Sequence, residues 1–366
     1  MNGVIIVDKP AGWTSHDVVN RMRRILQQRS VGHLGTLDPL ATGVLPLVTG
    51  SLTRLAQFYT SSEKTYEGVI RFGFATDTYD ADGEPVESHV GTAALGCPEG
   101  RRPDLSLETL QQLAASFQGL IEQVPPPFSA KKIHGVPAYK LARKHKEVVL
   151  KPVQVEIKEF VILAVEGDRA QFRARVASGT YMRSVAHEMG QLLGSGAHLE
   201  SLRRTAVAEF VIAQAHTLEE IEGQTKEGQI IKDCHSEPGG KPGEACPERS
   251  RREPAFSCQE GIAALFVHPR QLLPEFPSVT ADEPTAARIR SGRPVNLPEL
   301  SRARQVKVFH GQKDLIAIAT RVAGTLFHPK IVFVTETSPQ PLGSSRSKRG
   351  TYCLLYTSLT FMLPPG

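Results

Sequence analysis

Apolar positions change their spacing several times along this chain, and each change predicts an element. Val4 to Val7 is an unbroken apolar run closed by Asp8 and Lys9, the pattern of a strand buried on both faces. After Trp13 the spacing becomes helical, with Val18, Met22 and Ile25 on one side and Thr14 or Ser15 as the capping hydroxyl. From Tyr66 the even positions Ile70, Phe72 and Phe74 are apolar. Further on, Ala170, Phe172, Ala174 and Val176 alternate with Arg169, Gln171, Arg173 and Arg175. Both stretches predict half-buried strands, the second with arginines on its open face. It ends at Ser178, Gly179 and Thr180, and Val185, Met189 and Leu192 then predict a helix stopped by Gly194. Strands and helices interspersed in this way belong to an α+β domain, here residues 1–223.

The pattern breaks at 224–260, where Gly, Pro, Glu, Arg and Lys dominate and no apolar period survives, so an insertion without a packed core is expected there. A return segment at 261–275 leads into a second, β-like domain at 276–335, carried by Val279, Ile289, Val295, Val306, Val308, Ile316, Ile318 and Ile331. The end, 336–366, is polar and then uncharged, and is expected to be disordered or non-native. A chain of 366 residues is long enough for two such domains.

Composition narrows function only a little. Lysine and arginine total 43 against 38 aspartate and glutamate, a mild excess that permits a polyanionic partner. No uncharged apolar stretch approaches the about 20 residues that cross a bilayer, and no signal peptide opens the chain, so a cytoplasmic protein without a membrane partner is expected. Five cysteines without a CxxC pair fit a reducing compartment. Cys234, Cys246 and Cys258 recur at even spacing beside His235 but lack paired close ligands, and no metal site is read.

The stretch richest in chemistry is GHLGTLDPLATGVLP, residues 32–46, where glycines, prolines and small hydroxyl residues surround one aspartate and one histidine. Pro39 biases Asp38 toward extended backbone, and Gly35 and Gly43 allow a folded loop from which a carboxylate can project. Asp before Pro is also a common turn starter, and Tyr66 taken alone reads more readily as a core aromatic of its strand. Tyr181 and Arg183 lie two apart and share a face in extended structure.

This loop resembles the catalytic motif of the bacterial tRNA pseudouridine synthase B family, to which guide-RNA-dependent synthases are related. Four further blocks agree in order: VDKPAGWTS, KTYEGVIRFGFATDTYDADGE, VPPPFSAKKIHGVPAYKLAR and SGTYMRSVAHEMGQLLGSGAHLESLRRT. The resemblance spans most of residues 3–212, and five ordered motifs are far more specific than one. After Ala142 and Arg143 the family tends to a glycine where this chain has Lys144, His145 and Lys146.

The resemblance implies a pseudouridine-synthase domain with a mixed, mainly antiparallel sheet flanked by helices, plus a small C-terminal β-rich domain of PUA-like type. It implies Asp38 as catalytic carboxylate, Tyr66 packed against the target base and Arg183 as basic partner of Asp38. It further implies Tyr181 and Leu202 lining the uracil pocket, Lys9 and Pro10 supporting it, His33 beside flipped nucleotides and Asp80 near the RNA. The substrate would be the T-arm of tRNA, turned over by a monomer with no cofactor and no obligate protein partner. Isomerising uridine requires breaking and remaking a glycosidic bond, for which a carboxylate suffices, and a guanidinium beside it would favour its ionised form. A stacked loop hides that bond, so the nucleotide must be extruded and its neighbours held. Candidate RNA contacts are Lys131, Lys132, Arg143, Arg203 and Arg204, with Arg21, Arg24 and Arg29 on the first helix and Arg288, Arg290 and Arg293 in the second domain. A guide-dependent synthase and a non-catalytic RNA-binding protein are the alternatives.

Overall fold

The computed structural model describes residues 1–86, 105–129, 131–133, 135–138, 141, 150–224, 258–298 and 303–333. The expected insertion lies outside the described residues except at its two ends, as does the segment 336–366. The strand β1 is Gly3–Lys9 and the helix α1 is Ser15–Ile25, followed by β2 (Val31–His33), β3 (Thr42–Thr49) and β4 (Lys64–Phe72). Next come α2 (Leu107–Ser116), β5 (Gly119–Gln123), β6 (Val153–Glu166), β7 (Arg169–Val176), α3 (Met182–Leu192) and β8 (Ala197–Val207). The short strand β9 (Phe266–Val267) closes this series.

These strands form one sheet in the order β9-β1-β3-β8-β4-β7-β6-β5, with β2 alongside β3. Its pairs are antiparallel except where β3 and β8 run parallel, matching Arg203 with Thr42 and Arg204 with Gly43. That junction is tight. Gly43 has a φ of 98°, and a Cβ there would stand 2.3 Å from the Arg204 carbonyl oxygen, so only glycine lets the two strands meet.

Alternation explains the apolar run of β1. Ile5 and Val7 face a core shared with Val18 and Met22 of α1, Leu110 of α2 and Val185 and Met189 of α3. Val4 and Ile6 face a second cluster on the other side. Thr14 caps α1 and its hydroxyl accepts from the Asp17 N–H, as its position before the helical spacing predicts. The strand β7 is buried at every second residue, and Arg169 and Arg173 of its open face are taken by Glu200 and Glu159.

A second sheet of five strands follows the return segment. Its order is β10-β12-β13-β14-β11, where β10 is Ser278–Ala281, β11 Val295–Asn296, β12 Gln305–His310, β13 Asp314–Ala323 and β14 Leu326–Val332. One expected strand position is helical: Ile289 sits on α4, Glu283–Arg290, where Asp282 caps the N-terminus. The alternation test fails there because one buried isoleucine has no period of its own. Phe309, Leu315 and Ile318 of this sheet, and Phe333 just past its last strand, share the second cluster with Val4, Ile6, Val44 and Val48. The return segment begins with the helix Cys258–Ala264, a little before the boundary expected from composition, and its strand β9 extends the first sheet beyond β1. No described helix is long and apolar enough to cross a membrane.

Candidate active site

The loop between β2 and β3 carries Asp38, and three side chains hold that loop by its backbone. Ser15, buried in the first turn of α1, accepts from the Leu37 N–H at 2.8 Å and donates to the Leu37 carbonyl at 3.1 Å. The Lys9 ammonium donates to the carbonyls of Pro10 (2.8 Å), Trp13 (2.6 Å) and Pro39 (3.1 Å). Burial lowers the Lys9 pKa to about 8, so the amine still carries its third proton at pH 7, as three carbonyl acceptors require. Arg204 donates to the carbonyls of Gly35, Thr36 and Val44 at 2.8–3.1 Å.

Arg183, near the start of α3, is the hub of the charged groups. Its Nε lies 3.0 Å from Asp38 Oδ2 and its Nη1 lies 3.6 Å from Asp80 Oδ2. The remaining donors reach the carbonyls of Thr78 and Phe128, each at 3.2 Å. The expected partnership with Asp38 therefore forms, but through one nitrogen and not as a two-pronged fork. Exposure separates the partners: the Arg183 side chain is 6% accessible and that of Asp38 is 38% accessible. A fixed cation behind and an open carboxylate in front is an arrangement that offers one oxygen to an incoming molecule.

The walls follow from strand parity. Tyr66 and Leu202 are buried in the same cluster as Leu37 and Met182. Tyr181 caps the start of α3, and Gln123 grips it with both ends of its amide, accepting from the Tyr181 N–H at 2.8 Å and donating to its carbonyl at 3.1 Å. Burial, then the charge of Asp38, pushes the Tyr181 phenol pKa up. His33 lies on β2 and its Nδ1 accepts from the Gly35 N–H at 3.3 Å. Burial first and then Arg204 lower its pKa and keep the ring neutral. Asp80 is buried, accepts from Thr78 Oγ1 at 2.5 Å and from the Asp82 N–H at 3.2 Å, and burial is the main force raising its pKa.

One expected RNA contact is corrected. Arg204 is fully buried, beneath the loop and beside the Tyr66 phenol, and cannot meet a phosphate. Arg203, the next residue back on β8, points to the opposite face and is engaged by both oxygens of Asp8, at 2.7 and 3.2 Å. Adjacent strand residues cannot share a face, and the Arg203 side chain stays 42% accessible where that of Arg204 is closed off. Arg21 is bound to Glu222, whereas Arg24 and Arg29 are exposed. Lys131 is partly buried ahead of the small hairpin that begins at Lys132, and burial lowers its pKa. Arg143, Lys144 and Lys146 lie outside the described residues. Sequence reading missed Ser15, Thr78, Gln123 and Phe128, which carry no charge and act on or through backbone atoms. Only the places of Ser15, Thr78 and Phe128 inside the quoted blocks hinted at them, and Gln123 lies just before one.

Known proteins share this architecture. A model described as TruB family pseudouridylate synthase (N terminal domain) matches residues 23–182, and one described as tRNA pseudouridylate synthase B C-terminal domain matches residues 183–233. The boundary between them falls inside α3, so it does not separate two folded bodies. A tRNA pseudouridine synthase B from Solibacter usitatus is 46% identical over 336 residues, 91% of this chain and 100% of the relative. Another from Bacillus cereus is 36% identical over 299 residues, 80% of this chain and 83% of the relative. Among solved structures, an H/ACA RNP bound to a substrate RNA containing 2'-deoxyuridine aligns with a TM-score of 0.60 at 22% identity, covering 92% of this chain and 86% of that one. A Cbf5-Nop10-Gar1 complex aligns with a TM-score of 0.59 at 24% identity, covering 91% and 85%. Those two likenesses establish the fold, and the sequence matches establish the family: the chain belongs to the TruB family of pseudouridylate synthases.

Proposed function

We propose that this protein is a tRNA pseudouridine synthase that isomerises the T-loop uridine at position 55 of tRNA, with Asp38 as the catalytic carboxylate. The observation that carries the reading is the half-exposed Asp38 carboxylate held 3.0 Å from a buried guanidinium on a loop clamped by Lys9, Ser15 and Arg204. The reaction breaks the bond from ribose C1′ to uracil N1, turns the base and joins C1′ to C5. The C5 proton is lost and N1 gains one, so no co-reactant is consumed. An ionised carboxylate beside the glycosidic bond serves as nucleophile or as base for the sugar proton. Tyr66, Tyr181 and Leu202 hold the extruded uracil, His33 keeps the place it leaves, Pro10 and Lys9 support the loop, and Asp80 sets the orientation of Arg183.

The T-arm is gripped by Lys131, Lys132 and Arg143, and the five-stranded sheet acts as a PUA-like domain on more distant phosphates. Of its candidates, Arg293 is the most open, since Arg290 is paired with Glu283 and Arg288 donates to the Pro294 carbonyl. The enzyme works as a cytoplasmic monomer without cofactor or guide RNA.

The test is Asp38→Asn, which keeps shape and removes the ionised oxygen. Filter binding at fixed salt is expected to give wild-type affinity for tRNA, because phosphate contact and base stacking do not use the carboxylate. Tritium release from tRNA labelled at uracil C5 is expected to vanish. Release at the wild-type rate would remove Asp38 from the mechanism, and binding without release by the wild type would favour an RNA-binding protein.

A further inference from the structure

Lys9 and Lys64 both stand at the foot of the catalytic loop, and they differ in what surrounds the ammonium group. Lys9 is fully buried, and its three N–H bonds end on three carbonyls. Lys64 is only partly buried and donates to one carbonyl, that of Ser62, at 2.6 Å. Among the described residues no carboxylate pairs with it. The neighbouring acid, Glu63, lies on the other face of the chain and is committed to Lys158 and Arg175.

The setting of Lys64 is the site itself. It precedes Tyr66 by two residues on β4, so both side chains project to the same face. A Cβ on Gly35 would stand 3.9 Å from Lys64 Cε and 3.6 Å from Arg204 Nη1, which places the lysine stem under the same stretch of loop that Arg204 holds. Burial and the Arg204 charge together lower its pKa to about 8. A half-buried cation beside the fully buried Arg204, without a carboxylate partner among the described residues, is electrostatically unfavourable in the free enzyme. An arriving anion would relieve it, and the loop above it is where the flipped nucleotide must enter.

We propose that Lys64 binds a backbone phosphate of the substrate RNA next to the nucleotide turned toward Asp38, and that this contact is already made in the bound complex. The proposal rests on the reading that the substrate is RNA acted on at Asp38. It makes Lys64 a substrate-binding residue distinct from Lys9, whose hydrogen bonds are closed within the protein.

The experiment compares wild type, Lys64→Met and Lys64→Arg by tritium release from full-length tRNA across a range of salt concentrations, with thermal unfolding of each protein. For Lys64→Met, KM is expected to rise about tenfold at low salt, with kcat close to wild type. The slope of log affinity against log salt should become shallower by roughly 0.7–0.9, the share of one phosphate contact. The unfolding temperature should hold or rise, because a desolvated charge is gone, and Lys64→Arg should recover the slope. An unchanged slope and KM in Lys64→Met would overturn the proposal. So would a fall in kcat at constant KM, or an unfolding temperature lowered along with activity, since either would make Lys64 a structural support for Tyr66 and Arg204. Failure of the wild type to release tritium would instead overturn the proposed function and leave these comparisons without a substrate.

Discussion

The catalytic loop and the five-stranded sheet are both fixed by burial, but with different chemistry. Around the catalytic loop and Arg183 lie the buried polar groups Lys9, Ser15, Asp80, Gln123 and Arg204, whereas among the described residues of the five-stranded sheet the buried charged residue is Lys307. Lys307 donates to the carbonyls of Arg270 (3.0 Å) and Leu272 (2.6 Å) and so ties the return segment down, while the rest of that region is held by side chains such as Val306, Ile316 and Phe327. Apolar packing tolerates substitutions of similar volume because it has no direction. A buried donor serving carbonyls has direction, and its removal strands each acceptor without water. The loop gains a fixed shape in this way, and it becomes sensitive to single atoms.

The comparison breaks most visibly at Arg204. Arg204→Met fills a similar volume but leaves the carbonyls of Gly35, Thr36 and Val44 without donors, and a loss of about 3–5 kcal/mol in urea denaturation is expected. A midpoint equal to wild type would show that the loop is held by other means. Next is Arg183→Lys, which keeps the charge and loses the planar geometry that reaches Asp38, Thr78 and Phe128 at once. With roughly 1.5–3 kcal/mol of transition-state stabilisation gone, kcat in the tritium assay is expected to fall about ten- to a hundredfold. Full activity would mean that the pair is not used.

On the apolar side, Ile316→Val trims one methylene from a fully buried position, and about 0.5–1.5 kcal/mol is expected with kcat untouched. A kcat effect there would show that the small sheet's own core is coupled to the catalytic loop. Smallest of all is Glu283→Gln, which removes an exposed carboxylate paired with Arg290 (3.0 Å) and in contact with His310 (2.7 Å). The change in stability should stay under about 1 kcal/mol and shrink further at high salt. A larger loss would place more of the small sheet's stability in its surface charges than its core suggests.

Period and capping chemistry are local properties, and they were legible without the structure. The cap at Thr14, the alternation of β7, the helix beginning near Met182 and the strand at Val4 follow from residues within one or two turns of one another. The motif likeness also singled out Asp38 and Arg183, which meet across the fold. Which face of β8 turned inward depended instead on the parallel junction at Gly43 and on the register shifts beside Arg204. The sequence therefore treated Arg203 and Arg204 alike, although Arg204 is buried and Arg203 is half-exposed on the other face. Ser15, Gln123 and the carbonyls of Thr78 and Phe128 were invisible for a related reason, since a backbone acceptor has no residue identity to read. The sequence alone determined which segments form elements and which ionisable groups are candidates, because those depend on neighbours along the chain. Only the tertiary structure decided which cations are buried and spent on carbonyls, as Lys9 and Arg204 are, and which stay partly exposed, as Lys64 does. That choice depends on contacts between residues far apart in sequence.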